Sequence, residues 1–251
     1  MCPHCQGRFL KHMAAAESPE ELWDLALEEK ARGTKGMLIS GGSDKNGAVP
    51  ILPYLDIIKN IKEELNLSIN LHTGLIALED IPKLSGKGID AVSFDIVGSA
   101  EALRNVYGME IEPDYHDKAL AEFKRHGLKA VPHITVGLDR GGDSGEENSL
   151  RTIARHEPDF VVINALMSSE GEKKAAERLP VILKLARDIL PEKTAMGIGC
   201  MRPRGDLLSA KLIRELGIES IALPPKGLVE ELKNCCVEIE ERDGCCALYG
   251  D

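Results

Sequence analysis

Two patterns of hydrophobic and polar positions alternate along the chain. Short apolar runs without strict alternation separate longer segments in which apolar residues recur every three or four positions. The short runs are typical of strands buried on both faces, and the longer segments predict amphipathic helices. Seven strands are predicted in this way, at Gly36–Ser40, Ser68–Leu71, Ala91–Ile96, Lys129–Val136, Phe160–Leu166, Thr194–Ile198 and Ser220–Leu223.

A helix is predicted before each strand. The first follows Ser18-Pro19-Glu20-Glu21, a capping box with proline at the first helical position, and ends near Gly33. The other helices are predicted over Leu55–Leu65, Ile81–Gly86, Tyr115–His126, Ser149–Arg155, Ala175–Ile189 and Ser209–Leu216.

This alternation predicts a parallel α/β fold. A (β/α) barrel or partial TIM-like barrel fits better than an open doubly wound sheet, and no Gly-x-Gly-x-x-Gly follows the first strand to support a dinucleotide site. No linker or composition shift divides the chain. We therefore expect a single domain over residues 1–251, with a short cysteine-rich tail at about 234–251.

The composition argues against some classes of binding partner. The net charge of −10 argues against a general nucleic-acid surface. No apolar stretch approaches the roughly 18–20 residues of a membrane span, and no signal peptide precedes the first cysteine. The expected protein is cytoplasmic, with no nucleic-acid or membrane partner.

The seven cysteines are distributed unevenly. Cys2 and Cys5 form a Cys-x-x-Cys pair beside the N-terminus, which is typical of half a zinc site or part of an iron–sulfur site. Cys200 stands alone. Four cysteines lie in the tail: Cys235, Cys236, Cys245 and Cys246. They would form an auxiliary cluster, a zinc site or a reactive thiol, or they would simply be reduced side chains.

Polar residues recur where the apolar runs end. His72, Asp95 and His133 occupy such positions, and the carboxyl ends of parallel strands meet at one face of a barrel. Together they predict a pocket in which these three residues are candidates for acid–base catalysis. Arg202 and Arg204 either meet an anionic substrate there or are exposed arginines at a helix start.

The sequence resembles the radical S-adenosylmethionine superfamily, and within it the uncharacterised biotin-synthase-like proteins. The resemblance covers nearly the whole chain. It is carried by Cys2-Pro3-His4-Cys5, Leu38 to Lys45, Ile69 to Gly74 and Ala91 to Gly98, with further support from Val131 to Ile134, Gly199 to Gly205 and the terminal paired cysteines.

The resemblance implies a 4Fe–4S cluster that binds S-adenosylmethionine and generates a 5′-deoxyadenosyl radical, which acts on an unknown small molecule. It assigns cluster ligation to Cys2 and Cys5 and a position near the adenine to His4. Gly41, Gly42, Ser43 and Asp44 match the segment that receives the methionine ammonium, although the acidic residue has moved one place, and Asp95 matches a ribose or substrate ligand. It also implies an electron donor such as ferredoxin or flavodoxin.

The chain departs from the family pattern at its start. The superfamily motif is Cys-x-x-x-Cys-x-x-Cys, and its first cysteine would lie four residues before Cys2, where the sequence has only Met1. A first barrel strand is also expected upstream. Three interpretations remain open: a truncated sequence, a degenerate barrel that binds zinc or acts without radicals, and a third ligand recruited from the tail cysteines.

Overall fold

The computed structural model describes residues 7, 10–168, 170–203, 208–235 and 240–242. Its strands form one parallel sheet in chain order, with β1 and β8 at the two edges. The strands are β1 Gly36–Ile39, β2 Ser68–His72, β3 Ala91–Asp95, β4 Ala130–Val136, β5 Phe160–Ala165, β6 Ala195–Ile198, β7 Ile218–Ala222 and β8 Glu240–Arg242.

Helices alternate with these strands, and the sheet curls into a partial TIM-like α/β barrel. The α-helices are α1 Pro19–Ala31, α2 Leu55–Asn60, α3 Ala100–Ala102, α4 Tyr115–Arg125, α5 Glu146–His156, α6 Glu172–Ile189, α7 Ala210–Leu216 and α8 Lys226–Asn234. Short 3₁₀ helices lie at Leu10–His12, Leu52–Tyr54 and Leu78–Leu84, and π-helical turns lie at Ile61–Leu65 and Leu103–Tyr107.

All seven predicted strands are confirmed, and so is the capping box. The Ser18 hydroxyl accepts a hydrogen bond from the backbone N–H of Glu21, at 3.1 Å. The helix predicted over Ile81–Gly86 is instead the 3₁₀ helix Leu78–Leu84, which contains Pro82. Proline cannot donate the backbone hydrogen bond that an α-helix needs at this position.

Several short elements were not predicted from the sequence, among them the 3₁₀ helices Leu10–His12 and Leu52–Tyr54. The turns over residues 100–107 and helix α8 are short, so their apolar spacing gives a weak signal. Strand β8 lies inside the predicted tail, consists of charged residues, and pairs with β7 at the sheet edge. Charged residues are common on edge strands because they discourage pairing with other chains.

The two faces of the sheet have different chemistry. The outer face packs against the helices in a large apolar core, in which Phe94 contacts Phe123 edge to face at 5.2 Å between ring centroids. The opposite face carries a small separate cluster of strand residues only, Ala91, Val131, Phe160, Val162 and Ala195. This second cluster therefore lines the interior of the partial barrel, and we call it the inner floor.

Candidate functional site

Polar side chains lie above the inner floor, toward the C-terminal ends of the strands. We call this end of the barrel the mouth. Because side chains alternate along a strand, Ser93 and Asp95 follow Ala91 on the inner face of β3, and His133 follows Val131 on β4. Strand pairing places Asp95 directly opposite His133.

His72 on the neighbouring strand β2 lies beside Asp95. The structure thus brings His72, Asp95 and His133 together, as the sequence predicts. The structure corrects one detail, because His133 lies within β4 rather than at its end. Strand β4 continues to Val136 past the end of β3, yet the register keeps His133 level with Asp95.

A chain of hydrogen bonds crosses the mouth from β1 to β3. The His72 Nε2 atom lies 2.9 Å from a carboxylate oxygen of Asp95, and its Nδ1 atom lies 3.3 Å from the hydroxyl of Ser40. Since Asp95 can only accept when ionised, Nε2 carries a proton and donates. Gly42 and Asp95 are thus at the same mouth, because Gly42 lies two residues beyond Ser40.

The two histidines differ in their tendency to bind a proton. Burial disfavours the charged form of His72, but the hydrogen bond and the charge of Asp95 outweigh burial and raise the His72 pKa above its ordinary value. Burial lowers the pKa of His133 despite the nearby charge of Asp95. The Nδ1 atom of His133 donates to the Val131 carbonyl at 2.8 Å, so neutral His133 has its acceptor nitrogen at Nε2.

The loop after β1 is exposed and held by its own aspartate. One carboxylate oxygen of Asp44 accepts from the backbone N–H groups of Asn46 and Ala48, at 2.7 and 3.0 Å. Ala48 in turn forms an antiparallel bridge with Gly74, which follows β2. Asp44 therefore shapes the loop that carries Gly41, Gly42 and Ser43, while its assignment to the cofactor stays a prediction.

The fold itself does not require glycine at positions 41 and 42. Neither residue has a positive φ, and an added Cβ would meet its nearest atom at 3.5 Å for Gly41 and 3.7 Å for Gly42, which are ordinary contacts. By contrast, a Cβ on Gly74 would lie 2.3 Å from a backbone oxygen. Glycines that packing does not demand fit a backbone that a ligand approaches closely.

Three further polar residues of the inner face were not singled out as site residues from the sequence. Asn70 and Ser93 exchange hydrogen bonds of 2.8 and 3.0 Å across β2 and β3. Asn164 on β5 is 6% exposed, and its Oδ1 atom has no hydrogen-bond partner among the residues described. A buried acceptor without a donor fits a site in which a bound molecule supplies one.

Arg202 has a structural role. The sequence had suggested either contact with an anionic substrate or an exposed arginine at a helix start. It is buried, and its guanidinium donates to the carbonyls of Gly199, Ala222 and Leu223 at 2.7–2.9 Å. These carbonyls follow or end strands β6 and β7, so Arg202 ties the two strands together at the mouth. Arg204 lies outside the described residues.

Most of the predicted metal ligands, and His4 of the predicted adenine site, belong to segments outside the described residues. Cys2, His4, Cys5, Cys236, Cys245 and Cys246 lie outside the described residues, while Cys235 follows α8 and is exposed. Within the described part of the chain, no three His, Cys, Asp or Glu side chains form a group that could hold a metal ion. In the same part, no helix is long and apolar enough to cross a membrane.

No protein-family model matches the sequence, and no curated protein matches it significantly. Solved structures do match the fold. The crystal structure of methylornithine synthase (PylB) has a TM-score of 0.61 at 17% identity, and the match covers 95% of this chain and 79% of that one.

The hydrogenase maturase HydG is also similar in fold. HydG from Carboxydothermus hydrogenoformans has a TM-score of 0.59 at 20% identity, and the match covers 86% of this chain and 53% of HydG. A second HydG structure has a TM-score of 0.61 at 16% identity, with 96% and 57% covered. The chain thus spans little more than half of HydG. Methylornithine synthase and HydG are radical S-adenosylmethionine enzymes, and at these identities the likeness is one of fold.

Proposed function

We propose that this chain is a radical S-adenosylmethionine enzyme that modifies a small molecule. One observation carries the proposal: two described segments that the resemblance assigns to the cofactor, the Gly41-Gly42 pair and Asp95, lie at one mouth. Ser40, next to the Gly41-Gly42 pair, is connected to Asp95 through His72. The fold shared with methylornithine synthase and HydG supports the same assignment.

The residues at the mouth fit S-adenosylmethionine. The backbone at Gly41 and Gly42 has room for close approach, and the carboxylate of Asp95 suits a ribose diol because it accepts hydrogen bonds from hydroxyl groups. The inner floor offers apolar surface for the substrate. Ser43 extends the exposed loop and would contribute a hydroxyl.

Cys2 and Cys5 would hold two irons of the cluster, with His4 near the adenine. Bound together, the cluster and S-adenosylmethionine supply a 5′-deoxyadenosyl radical that abstracts hydrogen from a substrate. The protein's own part is to bind the cofactor at Gly41-Gly42 and Asp95 and to exclude water over the inner floor. An electron donor such as ferredoxin or flavodoxin and a cytoplasmic location complete the proposal.

A second candidate function is proton transfer without a cluster. It is favoured by the opposite pKa shifts of His72 and His133 on either side of Asp95. Two titratable groups pushed in opposite directions are a frequent arrangement for an acid and a base. In this case His72 would donate the proton and neutral His133 would accept one.

Binding of S-adenosylmethionine tests the first proposal. A parent protein lengthened at its N-terminus, so that a cysteine stands four residues before Cys2, is reconstituted anaerobically with iron and sulfide, and its affinity is measured by calorimetry. This lengthened parent is the background for every variant whose binding is compared. Asp95→Ala should weaken binding by about ten- to hundredfold, because it removes charge-assisted hydrogen bonds of about 1–3 kcal/mol. Asp56→Ala is the matched control, since its carboxylate is 90% exposed on α2.

The metal content of the protein distinguishes a cluster with recruited tail ligands from a barrel that binds zinc. Two thiolates rarely hold such a cluster, so we expect poor reconstitution of these 251 residues. Stoichiometric iron and sulfide would instead support recruited tail ligands, and their loss on replacing all four tail cysteines with serine would identify them. A colourless protein with bound zinc, or a lengthened parent that binds no S-adenosylmethionine, would contradict the radical function.

A further inference from the structure

The resemblance gives His72 no role, yet it is the residue through which Asp95 is held. The two side chains come from neighbouring strands, and His72 pairs in register with Ser93, two residues before Asp95. The 2.9 Å contact therefore runs diagonally across the inner face. The 3.3 Å contact with Ser40 restrains the opposite side of the ring.

The two members of the pair differ in exposure. The side chain of His72 is 27% exposed and that of Asp95 is 43% exposed. Asp95 is therefore the member that faces the mouth, whereas His72 lies behind it. The hydrogen bond from His72 therefore helps to fix the orientation of the Asp95 carboxylate.

We propose that His72 is a positioning residue, which holds the Asp95 carboxylate oriented for the hydroxyl groups of a ribose. The inference rests on the proposed function, because the ribose belongs to S-adenosylmethionine. Ser40 fixes the ring of His72 through Nδ1, so that Nε2–H points to Asp95. His72 acts through Asp95 and does not itself contact the ligand.

A double-mutant cycle tests this role, with S-adenosylmethionine affinity as the readout. His72→Leu should weaken binding by about tenfold. His72→Gln should stay within about threefold of the parent, because its amide N–H can donate to the same oxygen. In an Asp95→Ala background, His72→Leu should cause no further loss.

Two results would overturn the inference while leaving the proposed function intact. If His72→Leu binds as tightly as the parent, His72 has no positioning role. If it loses the same factor in the Asp95→Ala background, His72 contacts the ligand itself. A parent chain that binds no S-adenosylmethionine would contradict the proposed function, and the inference with it.

Imidazole NMR supplies a readout that needs no ligand. Among the described residues, the titratable groups that interact electrostatically with His72 are Asp95 on β3 and His133 on β4. Asp95→Ala should lower the pKa of His72 below its ordinary value, because burial remains while the hydrogen bond and the charge are lost. A His72 resonance whose titration is the same in both proteins would show that the pair does not form in solution, and the inference would fail.

Discussion

The chemistry of single residues explains why the sequence predicts part of the site and misses the rest. His72 and Asp95 could be predicted because each is polar at the end of an apolar run, and His133 because it is a polar residue inside one. The partnership of His72 with Ser40 could not, because it depends on the spacing of two strands that are 32 residues apart in the chain. Arg202 was misjudged for the same reason: its three carbonyl partners belong to different loops and strands.

Arg202 provides a prediction about stability at this scale. Arg202→Met keeps the apolar length of the side chain but leaves the buried carbonyls of Gly199 and Ala222 without their charged donor. We expect a loss of about 3 kcal/mol in the free energy of unfolding, which lowers Tm by roughly 10 °C.

The matched control for Arg202 is Arg151→Met. Arg151 is 61% exposed and pairs with Glu147 one turn away on α5, so its loss should cost less than about 0.5 kcal/mol. Thermal unfolding followed by circular dichroism compares the two variants. Equal Tm values for Arg202→Met and Arg151→Met would mean that Arg202 does not tie β6 to β7.

The helices and strands follow the sequence more closely than the site does. A buried parallel strand needs only a short apolar run, and an amphipathic helix needs only regular spacing, so both are local signals. Two elements depart from the prediction. The 3₁₀ helix at Leu78–Leu84 contains a proline, which disfavours an α-helix, and strand β8 lies at a sheet edge, where a strand need not be apolar. Contacts between helices, by contrast, are not visible in the sequence.

One such contact joins α4 to α5. Asp117 on α4 accepts hydrogen bonds from His156 at 2.9 Å and from Arg155 at 2.8 Å. The hydrogen bond from His156, and then that from Arg155, lower the pKa of Asp117 below its usual value of 3.8. A carboxyl group whose pKa is depressed by folding stabilises the protein above its unfolded pKa and loses that contribution as pH falls through the folded value.

The two-helix contact therefore predicts a pH dependence. The wild type should be more stable than Asp117→Asn near neutral pH, and the difference in Tm should shrink as the pH is lowered below about 4. Thermal unfolding of both proteins across this range measures the difference. Asp117 is 41% exposed, so solvent keeps the effect small. A difference that stays constant down to about pH 2 would rule out ionised Asp117 as its source.

At the scale of the whole molecule, the barrel brings distant segments to one mouth. Glycines 41 and 42 follow β1, His72 ends β2, Asp95 ends β3 and Asn164 lies on β5, and the shared strand direction places them all on the same side. This convergence was predictable from the strand–helix alternation. The unpaired Oδ1 atom of Asn164 could not be predicted. Its lack of a hydrogen-bond partner among the described residues is a property of the assembled inner face.

Gly42 tests whether this mouth receives a ligand at its backbone. Gly42 is exposed and has no positive φ, and among the described residues an added Cβ would meet only a side-chain atom of Leu10, at 3.7 Å. Gly42→Val should therefore leave Tm within about 2 °C of the parent. If the ammonium of S-adenosylmethionine approaches this backbone, the branched side chain should weaken its binding by at least about tenfold.

Lys45→Val is the matched control, because it adds the same side chain to the same exposed loop three residues away. Calorimetry with S-adenosylmethionine and a parallel thermal melt separate binding from folding. Tight binding by Gly42→Val would remove the glycine pair from the site and shift the cofactor toward Asp95 and the inner floor. Equal losses in the two variants would mean that the loop as a whole, rather than the open backbone at Gly42, determines the affinity, because both substitutions place a valine side chain in this loop.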